Sequence, residues 1–151
     1  MVSLKTLKMM MKENYKILAK YIKDMSSETP DAETYLFVKD NISKYQLGIN
    51  INSKALKSRL IEVDTNIKFE DKGDNKLKSH FEISYITIIK VDEEIKDKDV
   101  LQKIILRDVQ KDIYEDLEKS MLSLLHNSGY PAISFEKKVD FDELYKKNFN
   151  Q

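Results

Sequence analysis

The hydrophobic repeat of the chain changes once, and this change constrains the fold more than any other feature of the sequence. Between residues 45 and 91, apolar and polar residues alternate in three successive segments, as in strands with one buried face. From residue 101 to residue 125, apolar residues instead recur every three to four positions, which is typical of an amphipathic helix. Strands followed by helices indicate an α+β protein.

The sequence predicts four strands before the long helix. The first begins at Tyr15 and ends at Pro30, because proline has no backbone N–H to donate to a neighbouring strand. The other strands are predicted over residues 45–52, 61–69 and 80–91, and the glycine-containing segment 71–76 predicts a hairpin. Short connections between sequential strands predict an antiparallel sheet with one buried face. On the first strand, the odd positions are expected to face the core: Ile17, Ala19, Tyr21 and Met25.

Two helices are predicted after the sheet. The long helix ends at Gly129 and Pro131, and a short C-terminal helix begins near Asp140, a suitable N-cap residue. The apolar stripe of the long helix is wider than one contact with a sheet requires. We therefore expect copies of the chain to associate through this helix, at four positions: Val109, Ile113, Leu117 and Met121.

Length and composition indicate one globular domain. The chain has 151 residues, of which 34% are charged and none is cysteine, a composition that fits a reducing cytoplasm. We assign residues 15–151 to this domain and predict that residues 1–14 form a mobile extension. No apolar run approaches the roughly 20 residues that span a bilayer. Residues 1–23 carry a charge of +5 and residues 24–151 a charge of −5, and a mildly acidic body argues against nucleic acid as a partner.

The sequence contains no recognisable catalytic or metal-binding pattern. The two histidines, His80 and His126, lie on different elements without ligand-like neighbours, so we interpret both as surface residues. A glycine-rich phosphate loop, a nucleophile elbow and a zinc-protease motif are all missing from the sequence. We therefore predict no catalytic residues, no metal, no cofactor and no enzymatic activity.

Two segments are instead candidates for binding other proteins. Asp24 and Glu28 lie on one side of the first strand, about 13 Å apart in an extended chain. This spacing is too large for paired acid–base chemistry and favours an acidic docking surface. The connection over residues 31–43 is unusually apolar, and its side chains either fill the core or line a groove: Tyr35, Leu36, Phe37 and Ile42.

Two motifs give the chain a resemblance to a known family, the SecB protein-export chaperones. The segment "YIKDMSSETPDA" resembles the first-strand signature of that family, with seven matching residues: Tyr21, Lys23, Asp24, Ser26, Glu28, Pro30 and Asp31. The segment "GYPAISFEKKVDFDELY" is similar to its closing pattern: Tyr130, Pro131, Ile133, Phe135, Val139, Phe141, Asp142, Leu144 and Tyr145. The resemblance covers roughly residues 15–149.

The resemblance implies a function and a set of partners. It implies a cytoplasmic, ATP-independent chaperone that holds unfolded precursor proteins and passes them to the SecA motor, assembled as a homotetramer of two dimers. It also implies that SecA docks on carboxylates of the first and fourth strands. Here these positions are Asp24, Glu28 and Glu82, and His80 stands where the family has a leucine.

The sequence also departs from the family pattern and leaves other functions open. A pI of about 6.8 is less acidic than is usual for the family. The sequence ends at Gln151, soon after the last predicted helix, so the resemblance leaves open whether SecA also contacts a C-terminal tail, as it does in many members of the family. One alternative is a SecB-like chaperone dedicated to a toxin–antitoxin pair. Another, from a different class, is a small α+β domain that binds an apolar small molecule.

Overall fold

The computed structural model describes residues 14–131, 133–135 and 139–149. All of the predicted N-terminal extension except Asn14 therefore lies outside the described residues. Four strands are formed: β1 (Tyr15–Glu28), β2 (Gln46–Ala55), β3 (Leu60–Glu70) and β4 (His80–Val91). The helices are α1 (Ala32–Asp40), α2 (Lys98–Lys103), α3 (Val109–Asn127) and α4 (Phe141–Phe149).

The four strands form one antiparallel sheet in the order β1-β4-β3-β2. This confirms the predicted fold class and the predicted hairpin between β3 and β4. The inner face of the sheet carries the buried side chains of Phe81, Ile83 and Tyr85, which alternate along β4 with His80, Glu82 and Ser84 on the outer face. β1 and β2 are the edge strands.

Strand β1 contains two bulges that correct the predicted orientation of its side chains. The register with β4 shifts at Leu18 and again at Lys23. Because each bulge inserts one residue, each reverses the alternation of the strand. Ala19 and Tyr21 therefore lie opposite Ile88 and Ile86 on the outer face, and their predicted core positions are wrong.

The second bulge restores the original alternation towards the end of β1. Met25 lies opposite Ile83 on the inner face, as predicted, although its side chain stays 48% exposed. Asp24 lies opposite Ser84, and Glu28 opposite His80, on the outer face. Between the two bulges, Ile22 takes an inner position opposite Tyr85, where a strictly alternating strand would have placed it outside.

The long helix covers the inner face of the sheet. It runs from α2 through a π-helical segment, Ile104–Asp108, into α3. The π-helical turn leaves the Ile105 carbonyl close to the buried Gln110 side chain, whose amide nitrogen donates to it at 3.1 Å. Gln110 in turn accepts a hydrogen bond of 3.0 Å from the Thr65 hydroxyl on β3. This pair of bonds fixes the helix against the middle of the sheet.

The long helix ends as the sequence predicts. Gly129 has a φ of 101°, and the N–H of Tyr130 donates to the carbonyl of Leu125, so the helix closes with a left-handed glycine. The Tyr35 hydroxyl of α1 donates to the Gly129 carbonyl at 2.7 Å. The end of the long helix is thereby tied to the segment that follows β1.

Helix α1 occupies a segment that the sequence analysis interprets as a connection without secondary structure. Asp31 caps the helix by accepting a hydrogen bond of 2.8 Å from the N–H of Thr34. Hydrogen bonds from the side chain and backbone of Thr34 hold the pKa of Asp31 below its usual range. The nine-residue helix was missed because its apolar residues do not repeat with a clear helical period.

The C-terminal helix α4 is confirmed and packs beside the π-helical segment. Asp140 caps it, because its carboxylate accepts from the N–H of Glu143 at 3.1 Å. Asp142 forms ion pairs with Arg107 and with Lys111, the second at 3.0 Å. The ring of Phe141 lies 5.3 Å from that of Tyr114 on α3.

Candidate functional site

The end of β1 and the start of β4 bring the predicted docking residues together on the outer face. Glu28 lies opposite His80, Ser26 lies opposite Glu82, and Asp24 lies one step further along, opposite Ser84. Asp24, Glu28 and His80 are exposed, and Glu82 is half-buried. We call Asp24, Glu28, His80 and Glu82 the acidic patch.

Glu82 is held in place by neighbours on both sides. One of its carboxylate oxygens accepts a hydrogen bond of 2.7 Å from the Asn66 side chain on β3, and the other lies 3.0 Å from the His80 ring. The Asn66 bond is the largest influence that lowers the pKa of Glu82, with smaller contributions from Lys68 and His80, while partial burial raises it. The side chain therefore stays ionised and fixed in orientation.

Asn66 is a component of this surface that the sequence analysis did not identify. Its amide nitrogen also lies 2.9 Å from the Ser84 hydroxyl, so one side chain connects β3 with two positions of β4. The signal was available in principle, because Asn66 occupies an outer position of the alternating strand β3. The alternation shows that Asn66 lies on the outer face of the sheet, but it does not show that the Asn66 side chain bonds to a particular carboxylate.

The four predicted groove residues lie on α1 and the short 3₁₀ turn after it, Ile42–Lys44. Leu36 is the most exposed, at 59%, while Phe37 is half-buried. Tyr35 and Ile42 are partly buried and pack against the hydrophobic core. The structure thus places part of the set at the surface and part at the edge of the core.

Next to α1 lies a cluster of aromatic rings on the inner side of the sheet. The rings of Tyr35 and Tyr130 are 5.2 Å apart, Tyr130 is 5.6 Å from Phe81, and Phe69 is 5.6 Å from Phe135. We call the full set the aromatic cluster: Tyr35, Tyr45, Phe69, Phe81, Tyr130 and Phe135. Its members come from five separated segments, so only the folded chain brings them together.

The four helix positions predicted to join copies of the chain are buried within a single copy. Val109, Ile113, Leu117 and Met121 are all at most 1% exposed and belong to the hydrophobic core. Their side chains pack inside the chain and leave almost no exposed area for a contact between copies. The stripe appeared too wide for one contact because the sheet and α4 both pack against the long helix.

A more suitable surface for association lies between β1 and α3. Here Ile22, Met25 and Leu124 border a shallow pocket of about 270 Å³ together with polar residues of α3. Ile22 and Met25 are 41% and 48% exposed on an edge strand. Exposed apolar side chains beside an unpaired strand edge are typical of a surface that associates with another chain.

Other kinds of site find no support among the described residues. Within residues 14–131 and the two shorter described segments, no group of side chains is arranged to hold a metal ion. None of the helices in that part of the chain is long and apolar enough to cross a membrane.

Comparison with solved structures identifies the class of fold. The chain is similar to a SecB-like chaperone of Mycobacterium tuberculosis, solved in complex with a peptide from the HigA1 antitoxin, with a TM-score of 0.59. The two share 10% sequence identity, and the match covers 89% of this chain and 98% of the other. The fold is therefore that of the SecB-like chaperones.

The sequence relationships identify the family. The model of preprotein translocase subunit SecB matches residues 9–151, so the chain belongs to the SecB family of protein-export chaperones, which is not a class of enzymes. A protein of Pelagibacter ubique, provisionally named protein-export protein SecB, is 59% identical over 93% of this chain and 100% of its own length. The protein-export protein SecB of Rhodopseudomonas palustris (strain BisA53) is 24% identical over 89% of this chain and 82% of its own.

Proposed function

We propose that this chain is a cytoplasmic, ATP-independent holdase that binds unfolded precursor proteins and delivers them to the SecA motor. The observation that carries the proposal is the separation of two surfaces by the sheet. The acidic patch lies on the outer face, whereas Leu36 and the aromatic cluster lie on the side covered by helices. One chain can therefore hold a client and a basic partner at the same time.

The acidic patch has the properties of a docking site for a basic segment of SecA. Three carboxylates stand on two neighbouring strands, and Glu82 is fixed by Asn66 and His80. Complementary charges of this kind accelerate association and fix the register of a partner. His80 provides an imidazole edge where the family has a leucine, so it offers a polar contact at that position.

The client surface is proposed to extend from α1 to Tyr35 and Phe135, the two half-buried rings of the aromatic cluster, whose other four rings are buried. Leu36 and Phe37 offer apolar area at the surface, and the half-buried Phe135 packs on the ring of Phe69. Unfolded precursors share exposed apolar side chains and no common sequence. A row of aromatic and aliphatic side chains therefore supplies broad affinity.

Charge reversal tests the separation of the two surfaces. The double variant Asp24→Lys, Glu28→Lys is expected to bind the C-terminal segment of SecA at least about tenfold more weakly, because repulsion replaces attraction. Its affinity for an unfolded precursor is expected to stay unchanged. Both affinities are measured by titration of wild type and variant.

A matched control reverses two exposed carboxylates in the linker after β4. The variant Glu93→Lys, Glu94→Lys changes the net charge equally but lies away from the acidic patch. It should bind SecA like the wild type. If the Asp24/Glu28 variant binds SecA as tightly as the wild type, the docking site is refuted. If the variant loses the precursor together with SecA, the separation of the two surfaces is refuted.

A further inference from the structure

The outer face carries an apolar spot directly beside the acidic patch. The bulge at Leu18 turns Tyr21 onto this face, where it lies opposite Ile86 and remains 46% exposed. Ile86 is fully buried although it has an outer position and lies outside the main hydrophobic cluster beneath the long helix. Its cross-strand partner on β1 is Tyr21.

The apolar spot occupies the next outer position after the acidic patch along β4 and β1. Along the outer face of β4 the positions are His80, Glu82, Ser84 and Ile86, with Glu28, Ser26, Asp24 and Tyr21 opposite them on β1. Consecutive outer positions of a strand are about 7 Å apart. Tyr21 and Ile86 thus lie one step beyond Asp24, on a straight path from the carboxylates.

A further carboxylate borders the same spot on its other side. Asp64 of β3 pairs with Ile86, and one oxygen of Asp64 is buried without a hydrogen-bond partner among the described residues. The apolar spot is therefore flanked by acidic side chains on both neighbouring strands. A cationic partner segment meets attraction on either side of it.

We propose that the exposed ring of Tyr21, which lies opposite the buried Ile86, forms an anchor site for one apolar side chain of a basic partner segment, two residues beyond its last cationic contact. The proposal rests on the proposed docking function of the acidic patch and adds a requirement on the sequence of the partner. In an extended segment, residues two apart point to the same side with a spacing that matches the step along β4. The cations meet Glu28, Glu82 and Asp24, and the apolar side chain then meets the Tyr21 ring.

The energetic reason for such an anchor is that charge pairs at an exposed surface contribute little affinity. Exposed ion pairs are screened by salt and compete with water. Aromatic residues, in contrast, dominate the binding energy of many interfaces, because they bury a large area with few rotatable bonds. Tyr21 is the aromatic residue that β1 places on the outer face next to the carboxylates.

Two synthetic peptides test the anchor with the full-length chain. Both carry lysine at three alternate positions in a serine background. The first has phenylalanine two residues after the last lysine, and the second has it one residue after, so that the ring points to the opposite side. Fluorescence anisotropy should show about tenfold tighter binding of the first peptide to wild type, which is the usual effect of one buried aromatic contact.

Three variants assign the preference to the anchor. Tyr21→Ser should bind both peptides equally, whereas Tyr21→Phe should keep the preference because it retains the ring. Leu56→Ser removes another exposed apolar side chain, in the β2–β3 hairpin, and should also keep it. Thermal unfolding of each variant verifies that it is folded at the temperature of the titration.

The outcomes separate the anchor from the acidic patch. Equal affinity of wild type for the two peptides, or an unchanged preference in Tyr21→Ser, would overturn the anchor while the acidic patch stands. Lysine-dependent binding that survives in the Asp24→Lys, Glu28→Lys variant would overturn the acidic patch, and the anchor with it. A preference lost in Leu56→Ser or in Tyr21→Phe would equally contradict the assignment to the Tyr21 ring.

Discussion

At the scale of single residues, Asn66 determines how the acidic patch presents its charge. A carboxylate that is free to rotate must lose that freedom when a partner binds, whereas Glu82 is already oriented by Asn66 on one side and His80 on the other. Asn66 therefore influences binding of the partner indirectly, by orienting the Glu82 side chain. Its hydrogen bond lowers the pKa of Glu82.

We predict that Asn66→Ala raises the pKa of Glu82 towards its ordinary value, because the hydrogen bond that most favours the ionised form is lost. A pH titration of the Glu82 side chain by NMR measures the shift directly. Asn50→Ala is the matched control, since Asn50 lies beside Asn66 on the same face of the sheet. An unchanged Glu82 pKa in Asn66→Ala would contradict the positioning role.

The lowered pKa of Glu82 also fixes the sign of its effect on stability. A carboxyl group whose pKa is lower in the folded protein stabilises the fold above its ordinary pKa, and this contribution disappears as the pH falls through the lowered value. The stabilisation from the Asn66–Glu82 bond is therefore fully present at neutral pH and is lost in acid, as the pH falls from the ordinary glutamate pKa through the lowered one. Because the side chain is partly exposed, the contribution is small.

At the scale of elements, the sequence predicted those segments whose pattern is regular. In β3 and β4, strict alternation specifies the buried face, because a shift by one residue would expose every apolar side chain. In β1, the bulges at Leu18 and Lys23 were not predictable, since a bulge changes the alternation without leaving a distinctive residue. Helix α1 was missed because Tyr35, Leu36, Phe37 and Val38 are consecutive and give no helical period.

The link between α1 and the end of the long helix depends on Gly129. A Cβ atom at this position would lie 2.8 Å from Cε1 of Tyr35, and the φ of 101° is unfavourable for any residue with a side chain. We predict that Gly129→Ala lowers the free energy of unfolding by at least about 1 kcal/mol, from the backbone alone. Denaturant unfolding followed by circular dichroism measures the change.

The control for this prediction is a glycine with room for a methyl group. The nearest atoms to a Cβ at Gly48 would be 4.0 Å away, so Gly48→Ala should leave stability nearly unchanged. Equal stability of Gly129→Ala and wild type would mean that Tyr35 and the helix end are not held as closely as described.

At the scale of the whole molecule, the sequence indicated the outer surface better than the inner one. Asp24, Glu28 and Glu82 could be placed on one face because all three lie on predicted strands. Both bulges of β1 precede Asp24, and the second restores the alternation that the first reverses. The aromatic cluster could not be predicted, because Tyr130 and Phe135 reach the sheet only when the chain turns back after Gly129. Likewise, the sequence revealed the apolar stripe of the long helix, but it did not reveal that both the sheet and α4 pack against this helix.

The assembly of the chain is therefore expected to use the surface between β1 and α3. We propose a homotetramer, a dimer of dimers, in which Ile22 and Met25 are covered by another copy. Both side chains are more than 40% exposed in the single chain and lie on an edge strand that has an unpaired side. Covering them removes apolar area from water and pairs the free edge.

We predict a mass of about four times 17.8 kDa by light scattering for the wild type, and a lower mass for Ile22→Asp, because a carboxylate at the contact would lose its water. Since Ile22 is exposed within one chain, this variant should remain folded.

Leu117→Asp, in contrast, should unfold, because Leu117 is 1% exposed in the core. Leu56→Asp, on an exposed hairpin, is the control and should keep the wild-type mass. A wild type that is monomeric at micromolar concentration, or an Ile22→Asp variant of unchanged mass, would contradict assembly through this surface.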